Sequence, residues 1–232
     1  MDRRQFSAVV AGAVALSPLA PAGAQDLLAG ITNAEAGKGL KAALETGATT
    51  AVRLLGAPDG FLANPKVHIE LPGYLRDAAK LLKMIGQNKQ VEELEVAMNR
   101  AAENAVPLAK KLLIDAVHGM SVSDAKRILT GGETSVTQFF AEKTREPLGG
   151  HFLPVVKQAT ARVGLAQKYD HVAAKGASLG LVKPEDASID HYVTRKALDG
   201  LYLMIGEEEK KIRQDPIGTG SALLGKVFGA LR

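Results

Sequence analysis

Apolar side chains return at intervals of three and four along most of this chain, a period that a helix can bury on one face and a strand cannot. In "KGLKAALETGATTAVRLL", residues 38–55, Leu40, Ala43, Leu44, Ala48, Ala51, Val52 and Leu55 share one side. The next stretch, "APDGFLANPKVHIELPG", breaks that period with three prolines and turn dipeptides, and Asp59 reads as a turn residue. Inside it "KVHIEL" alternates Val67, Ile69 and Leu71 against Lys66, His68 and Glu70, which predicts one short strand. The only partner on offer is "ASIDHYV", around residue 189.

Elsewhere the spacing predicts helices over 74–85, 89–105, 107–118, 122–130, 134–145, 151–162, 165–175, 189–213 and 220–230. Ser121 followed by Asp124 makes a capping box, Gly131-Gly132 ends that helix, and Pro107 and Pro154 suit first turns. The expected fold is all-α: one compact multi-helix domain over residues 25–232, with at most one short β-hairpin or strand pair. No internal repeat recurs at a fixed period.

Residues 1–24 read as an export signal. Arg3 and Arg4 begin it, Ser7 to Leu19 is uncharged and rich in Ala and Val, and Ala22-Gly23-Ala24 supplies a small-residue cleavage site. Paired arginines ahead of Phe6 also resemble the twin-arginine signal, so either ordinary secretion or twin-arginine export fits. Pro18 and Pro21 break a run already short of the roughly 20 apolar residues that a membrane span needs. A soluble, periplasmic mature chain with no transmembrane segment is therefore expected.

The absence of cysteine excludes disulfides, thiol catalysis, thiolate metal sites and a lipid-modified cysteine. A formal net charge of +4, with 4% aromatic residues and no tryptophan, argues against nucleic acid, whose binders carry basic stripes and stacking platforms. His68, His118, His151, His171 and His191 are too scattered to pair on one helix face, so no metal site and no cofactor is expected.

Two helices carry unexpected polarity. On residues 89–105, Val91, Leu94, Met98, Ala101, Ala102 and Ala105 form the apolar face, with Glu92, Asn99, Arg100 and Glu103 roughly opposite. Those polar groups are either a solvated face, with Arg100 and Glu103 as a weak surface pair, or a covered set that must find partners or line a cavity. In "LDGLYLMIGEEEKKIR", residues 198–213, an almost wholly apolar start predicts a helix through the core. Its charged end offers an exposed ladder, Glu207 to Lys211 and Glu209 to Arg213, or a carboxylate from Glu208 or Glu209 that meets Arg100.

Two catalytic patterns almost fit. "GASLG", residues 176–180, matches a nucleophile elbow around Ser178, with Asp186, Asp190 and His191 downstream, but the residues before it look helical where a strand is needed. "GSALLGKV", residues 220–227, has Val227 where a phosphate-binding loop needs Ser or Thr. Its apolar face of Leu223, Leu224, Val227, Phe228 and Leu231 suits docking on the core, with membrane-surface binding as the alternative.

The strings "GLKAALETGATTAV", "PDGFLANPKVHIELP", "MNRAAENAVP", "DAKRILTGGETSVTQFF", "FLPVVKQA" and "YVTRKALDGLYLMIGEEEKKIRQDP" together resemble the bacterial envelope family catalogued as domain of unknown function 4197, over nearly all of the chain after the signal. The resemblance implies an exported helical protein and supplies no catalytic residue. It marks "MNRAAE" and "ALDGL…EEEKKIR" as family signatures. Many relatives look like lipoproteins; this chain has no cysteine to modify.

The expected function is binding of a lipid or other apolar or amphipathic ligand, or of an envelope protein partner, in a groove between helices. Asn99, Arg100, Glu103, Asp199, Glu208 and Lys211 are its candidate orienting groups. The competing readings are a hydrolase using Ser178 or a Glu103/Glu208 carboxylate pair, and a structural interaction module without ligand.

Overall fold

A computed structural model describes residues 33–73, 75–76, 84, 88–132, 134–178 and 188–215. The export signal, most of the helix expected over 74–85, and the whole 220–230 segment with its phosphate-loop lookalike lie outside these residues.

The helices are α1 (Asn33–Leu55), α2 (Asn88–Ala105), α3 (Ala109–His118), α4 (Val122–Thr130), α5 (Ser135–Thr160), α6 (Gly164–Ser178) and α7 (Ile189–Gln214). There is no β-strand among the described residues. The predicted apolar faces are the buried ones: every one of the seven α1 residues from Leu40 to Leu55 named above is covered. The first half of α7 lies in the core as its composition requires, with Leu198, Leu201, Tyr202, Met204 and Ile205 buried and Leu203 alone of that run exposed. Helix α7 packs most extensively on α5 and then on α1, α2 lies against α5 and α7, and α3 closes the side of α1.

Local chemistry accounts for some of the boundaries. Pro107 opens a single 3-10 turn, Val106–Leu108, that leads into α3. Helix α4 begins at Ser121, whose hydroxyl accepts from the Asp124 N–H while the Asp124 carboxylate accepts from the Ser121 N–H. The Ser121 hydroxyl, which also donates to Asp124 Oδ2 at 2.8 Å, and the Ser121 N–H hold the Asp124 carboxyl below its ordinary range. Ser121→Ala is expected to cost about 1 kcal/mol, read as a lower urea midpoint at unchanged slope.

Two expectations are corrected. The helices predicted over 134–145 and 151–162 are one helix, α5, with Pro147 and Pro154 inside it rather than at a start. Each interior proline removes a backbone hydrogen bond and crowds the preceding turn, a cost of about 3 kcal/mol. Both point outward, while Phe139, Phe140, Thr144, Leu148, Phe152 and Val156 continue one buried stripe across the join. Packing on α7 and α2 outweighs the two breaks.

The second correction concerns the predicted strand. Val67, Ile69 and Leu71 are buried and Lys66 and Glu70 exposed, as the alternation requires, yet residues 68–72 pair with no other strand. "ASIDHYV", the proposed partner, instead provides the start of α7, with Ser188 as its N-cap. Residues 56–72 form a strap that runs through successive turns to residue 67 and then straightens, its backbone bonding partly to itself and partly to side chains of α2 and α7.

Candidate functional site

The strap lies along the seam between α2 and α7, and the polar face of α2 is what holds it there. Asn99, wholly buried, accepts from the Ile69 N–H at 2.8 Å and donates to the Ile69 carbonyl at 3.0 Å. A carboxamide has the acceptor and donor of a peptide unit side by side, so Asn99 supplies the pairing that a neighbouring strand would have given. Its second N–H donates to the Glu95 carbonyl, one helical turn back.

Glu103, one turn further along α2, performs the same service for the other end. One carboxylate oxygen accepts from the Phe61 and Leu62 N–H groups at 3.0 Å each. The other accepts from Arg100 at 2.6 Å, and Arg100 also reaches Asp59 at 2.7 Å. These two carboxylates, Glu103 above all, hold the guanidinium more firmly protonated than usual. Asp59 sits at φ 67°, a left-handed conformation that side chains rarely adopt, with its carboxylate on Arg100. The following Gly60 presses so close to the end of α1 that a Cβ would lie 2.5 Å from the Leu54 carbonyl oxygen.

Helix α7 provides the other wall. A Cβ on Gly200 would stand 2.8 Å from the Phe61 ring and 3.2 Å from Val67 Cβ, so the bare helix at this point is the seat of the strap. Tyr192 donates its hydroxyl to the Glu70 carbonyl at 2.9 Å, and Lys66 pairs with Glu207. That pairing holds the Glu207 carboxyl below its ordinary range. Lys66 thereby takes the partner that the predicted ladder assigned to Lys211, which instead bonds Glu208 at 2.6 Å. The side chain of Arg213, the other predicted rung, lies outside the described residues.

The six candidate orienting residues therefore fall into three groups. Asn99, Arg100 and Glu103 act together on the strap. Asp199 faces another way, paired with Arg145 at 2.9 Å and with Arg195 at 3.7 Å, while Arg145 also covers the Tyr202 ring. Glu208 and Lys211 pair with each other, about 12 Å along α7 from Gly200 at 1.5 Å per residue. The expected meeting of Arg100 with Glu208 or Glu209 is replaced by the Arg100, Glu103 and Asp59 triad.

A second feature is an apolar cleft between α1 and α7, lined also by Val136 of α5, with Glu208 beside it at Gly47. Leu40, Leu44, Gly47 and Ala48 line one side and Ile205 and Ile212 the other, around a narrow apolar notch of about 20 Å³, room for a methyl group or one water. Glu209 lies in the wall and is buried. Its spacing was the available signal: four residues beyond Ile205 and three before Ile212 is the apolar stripe itself.

The hydrolase arrangements are not assembled among the described residues. Ser178 is the last residue of α6, with helix and not strand before it, so the elbow geometry is absent. Glu103 and Glu208 serve different partners. Among the described residues no cluster of three His, Asp or Glu could hold a metal ion, and no helix is long and apolar enough to cross a membrane.

The chain belongs to the DUF4197 family, described as a protein of unknown function, whose model matches residues 30–229. No curated protein and no solved structure matches it. Three stretches far apart in sequence, "PDGFL", "MNRAAE" and "ALDGL", meet where the strap crosses α2 and α7.

Proposed function

We propose, for a family whose description attaches no activity, that this chain is an exported periplasmic protein that binds one amphipathic molecule, the end of its apolar chain seated in the cleft between α1 and α7. The observation that carries this reading is Gly47. Glycine inside a helix costs about 1 kcal/mol relative to alanine. A Cβ at this position would meet Glu208 Cβ and Ile212 Cδ1 at 3.6 Å, an ordinary contact, so packing of the folded chain does not demand glycine. What the missing side chain preserves is the wall of the cleft.

The surrounding chemistry fits an amphipathic occupant. Apolar walls reward burial of a hydrocarbon by about 25 cal/mol per Å². Buried Glu209 and the Glu208–Lys211 pair offer polar groups beside it. Export rests on the Arg3-Arg4 start, the uncharged run and the Ala22-Gly23-Ala24 site.

Native mass spectrometry of protein purified from the periplasmic fraction tests both parts. The expected chain starts at Gln25 and carries an adduct that an organic extract releases. Gly47→Ala is expected to raise stability by about 0.5 to 1 kcal/mol while weakening the adduct, and Gly47→Leu to abolish it. A bare mass, together with no uptake of an added lysophospholipid or fatty acid, would overturn the binding. Retention of residues 1–24 in a cytoplasmic fraction would overturn the export.

A further inference from the structure

We propose that His68 is a proton-operated latch on the strap: as an imidazolium it fastens the middle of residues 56–72 to α2, and loss of one proton lets that middle lift from the α2/α7 seam. The geometry is specific. Nδ1 stands 2.8 Å from the Leu62 carbonyl oxygen and Nε2 stands 2.7 Å from Glu95 Oε1. A carbonyl and a carboxylate both only accept, so each bond requires an N–H on the ring. A neutral imidazole has one N–H and must abandon one of the two acceptors. Because Leu62 belongs to the strap and Glu95 to α2, that loss either unties the strap from itself or unties it from the helix.

His68 is the strap's one imidazole. The remaining anchors are of different kinds: the Asn99 carboxamide, the Glu103 carboxylate on two backbone N–H groups, and the Tyr192 hydroxyl. The charges that face the ring are Glu95 from α2 and Glu70 from the strap itself. Helix α7 approaches this stretch through Tyr192, bonded to the Glu70 carbonyl, and further along through Glu207 on Lys66. Burial disfavours the ring's charge, but the Glu95 bond, the Leu62 carbonyl and the two carboxylates together outweigh it, so His68 titrates above the ordinary 6.5.

The sign follows from that elevation. A group whose pKa is higher folded than unfolded contributes its full stabilisation below the unfolded value, 6.5, and loses it as pH rises through the folded value. The strap is thus fastened on the acid side and loosened on the alkaline side. Lifting it would bare the undersides of Val67, Ile69 and Leu71, all buried when it is down.

The test is hydrogen exchange on the full-length protein, normalised for intrinsic rates, beside an NMR titration of the His68 ring between about pH 5.5 and 8.5. The ring is expected to titrate above 6.5, and protection of amides 66–70 to fall about tenfold through the same transition. His68→Gln, which cannot change charge, should flatten the profile, and Glu95→Gln should move the ring's titration down. A wild-type ring that titrates at or below 6.5, or a profile unchanged in His68→Gln, would overturn the latch. The ring titration needs no variant to fold. It is also independent of the cleft, so an empty cleft leaves it standing.

Discussion

Glu103→Ala is expected to lower the unfolding free energy by about 3 to 5 kcal/mol, the largest loss from any single polar truncation in α2, because it strands two backbone donors at once. The carboxylate is buried and accepts from three donors, the Phe61 and Leu62 N–H groups and Arg100. Alanine leaves two backbone donors with nothing to bond and Arg100 with only Asp59. For a chain of this length such a loss lowers Tm by about 8 to 15 °C. Glu103→Gln separates the causes. Its carbonyl oxygen can still accept from both N–H groups, while its amide N–H₂ faces the Arg100 donors, so a loss of about 1 to 2 kcal/mol is expected. Urea melts of the three proteins read both values. A loss below about 1 kcal/mol for Glu103→Ala would mean that water replaces the carboxylate and that the strap is not anchored there.

The consequence should be local as well as global. With Glu103 gone, the strap keeps Asn99 on Ile69 and Tyr192 on Glu70 but loses its hold at residues 61–62. Exchange protection in the variant should therefore fall first at the Asp59 end, where the turn's carboxylate bonds Arg100 and Arg100 bonds Glu103.

The helical frame was legible because its cause is local: a face covered every three to four residues leaves its period in the sequence, as in α1 and α4. The partners of the polar groups were not legible, because they lie 30 to 42 positions away. Asn99 and Glu103 sit opposite the apolar face of α2, which on an isolated helix means water. Here it means the strap, and no periodicity within α2 can report what crosses its far side. The alternation in "KVHIEL" was read correctly as one buried and one exposed face. A strand there assumes that only backbone can satisfy extended backbone, whereas a carboxamide on Ile69 and a phenol on Glu70 suffice.

The same limit explains α5 and the cleft. Two prolines outweigh any local preference for helix, so the continuity of α5 is a tertiary effect, bought by the buried stripe from Phe139 to Val156. The inter-helix groove expected from the surplus of apolar surface corresponds to two places. At the α2/α7 seam the amphipathic occupant oriented by Asn99, Arg100 and Glu103 is the protein's own strap. The open cleft lies instead between α1 and α7, and of the six candidate orienting residues only Glu208 and its partner Lys211 stand near it.

Phe61 and Gly200 should prove the most strongly coupled pair across the seam. Phe61→Ala removes a fully buried ring and is expected to cost about 3 to 5 kcal/mol, partly as lost burial and partly as the cavity left against α7. Gly200→Ala places a methyl 2.8 Å from that ring and 3.2 Å from Val67 Cβ, so the strap must rise or the ring must turn, at about 1 to 3 kcal/mol. In the Phe61→Ala background the first of these contacts no longer exists. The added methyl then keeps only its 3.2 Å approach to Val67 Cβ, which alanine's helix preference of about 1 kcal/mol over glycine offsets. The double variant should consequently be no less stable than Phe61→Ala alone, giving an interaction energy of about 1 to 3 kcal/mol in a double-mutant cycle. Additive losses would mean that the ring yields without cost and that Gly200 is glycine for some reason other than the seating of the strap.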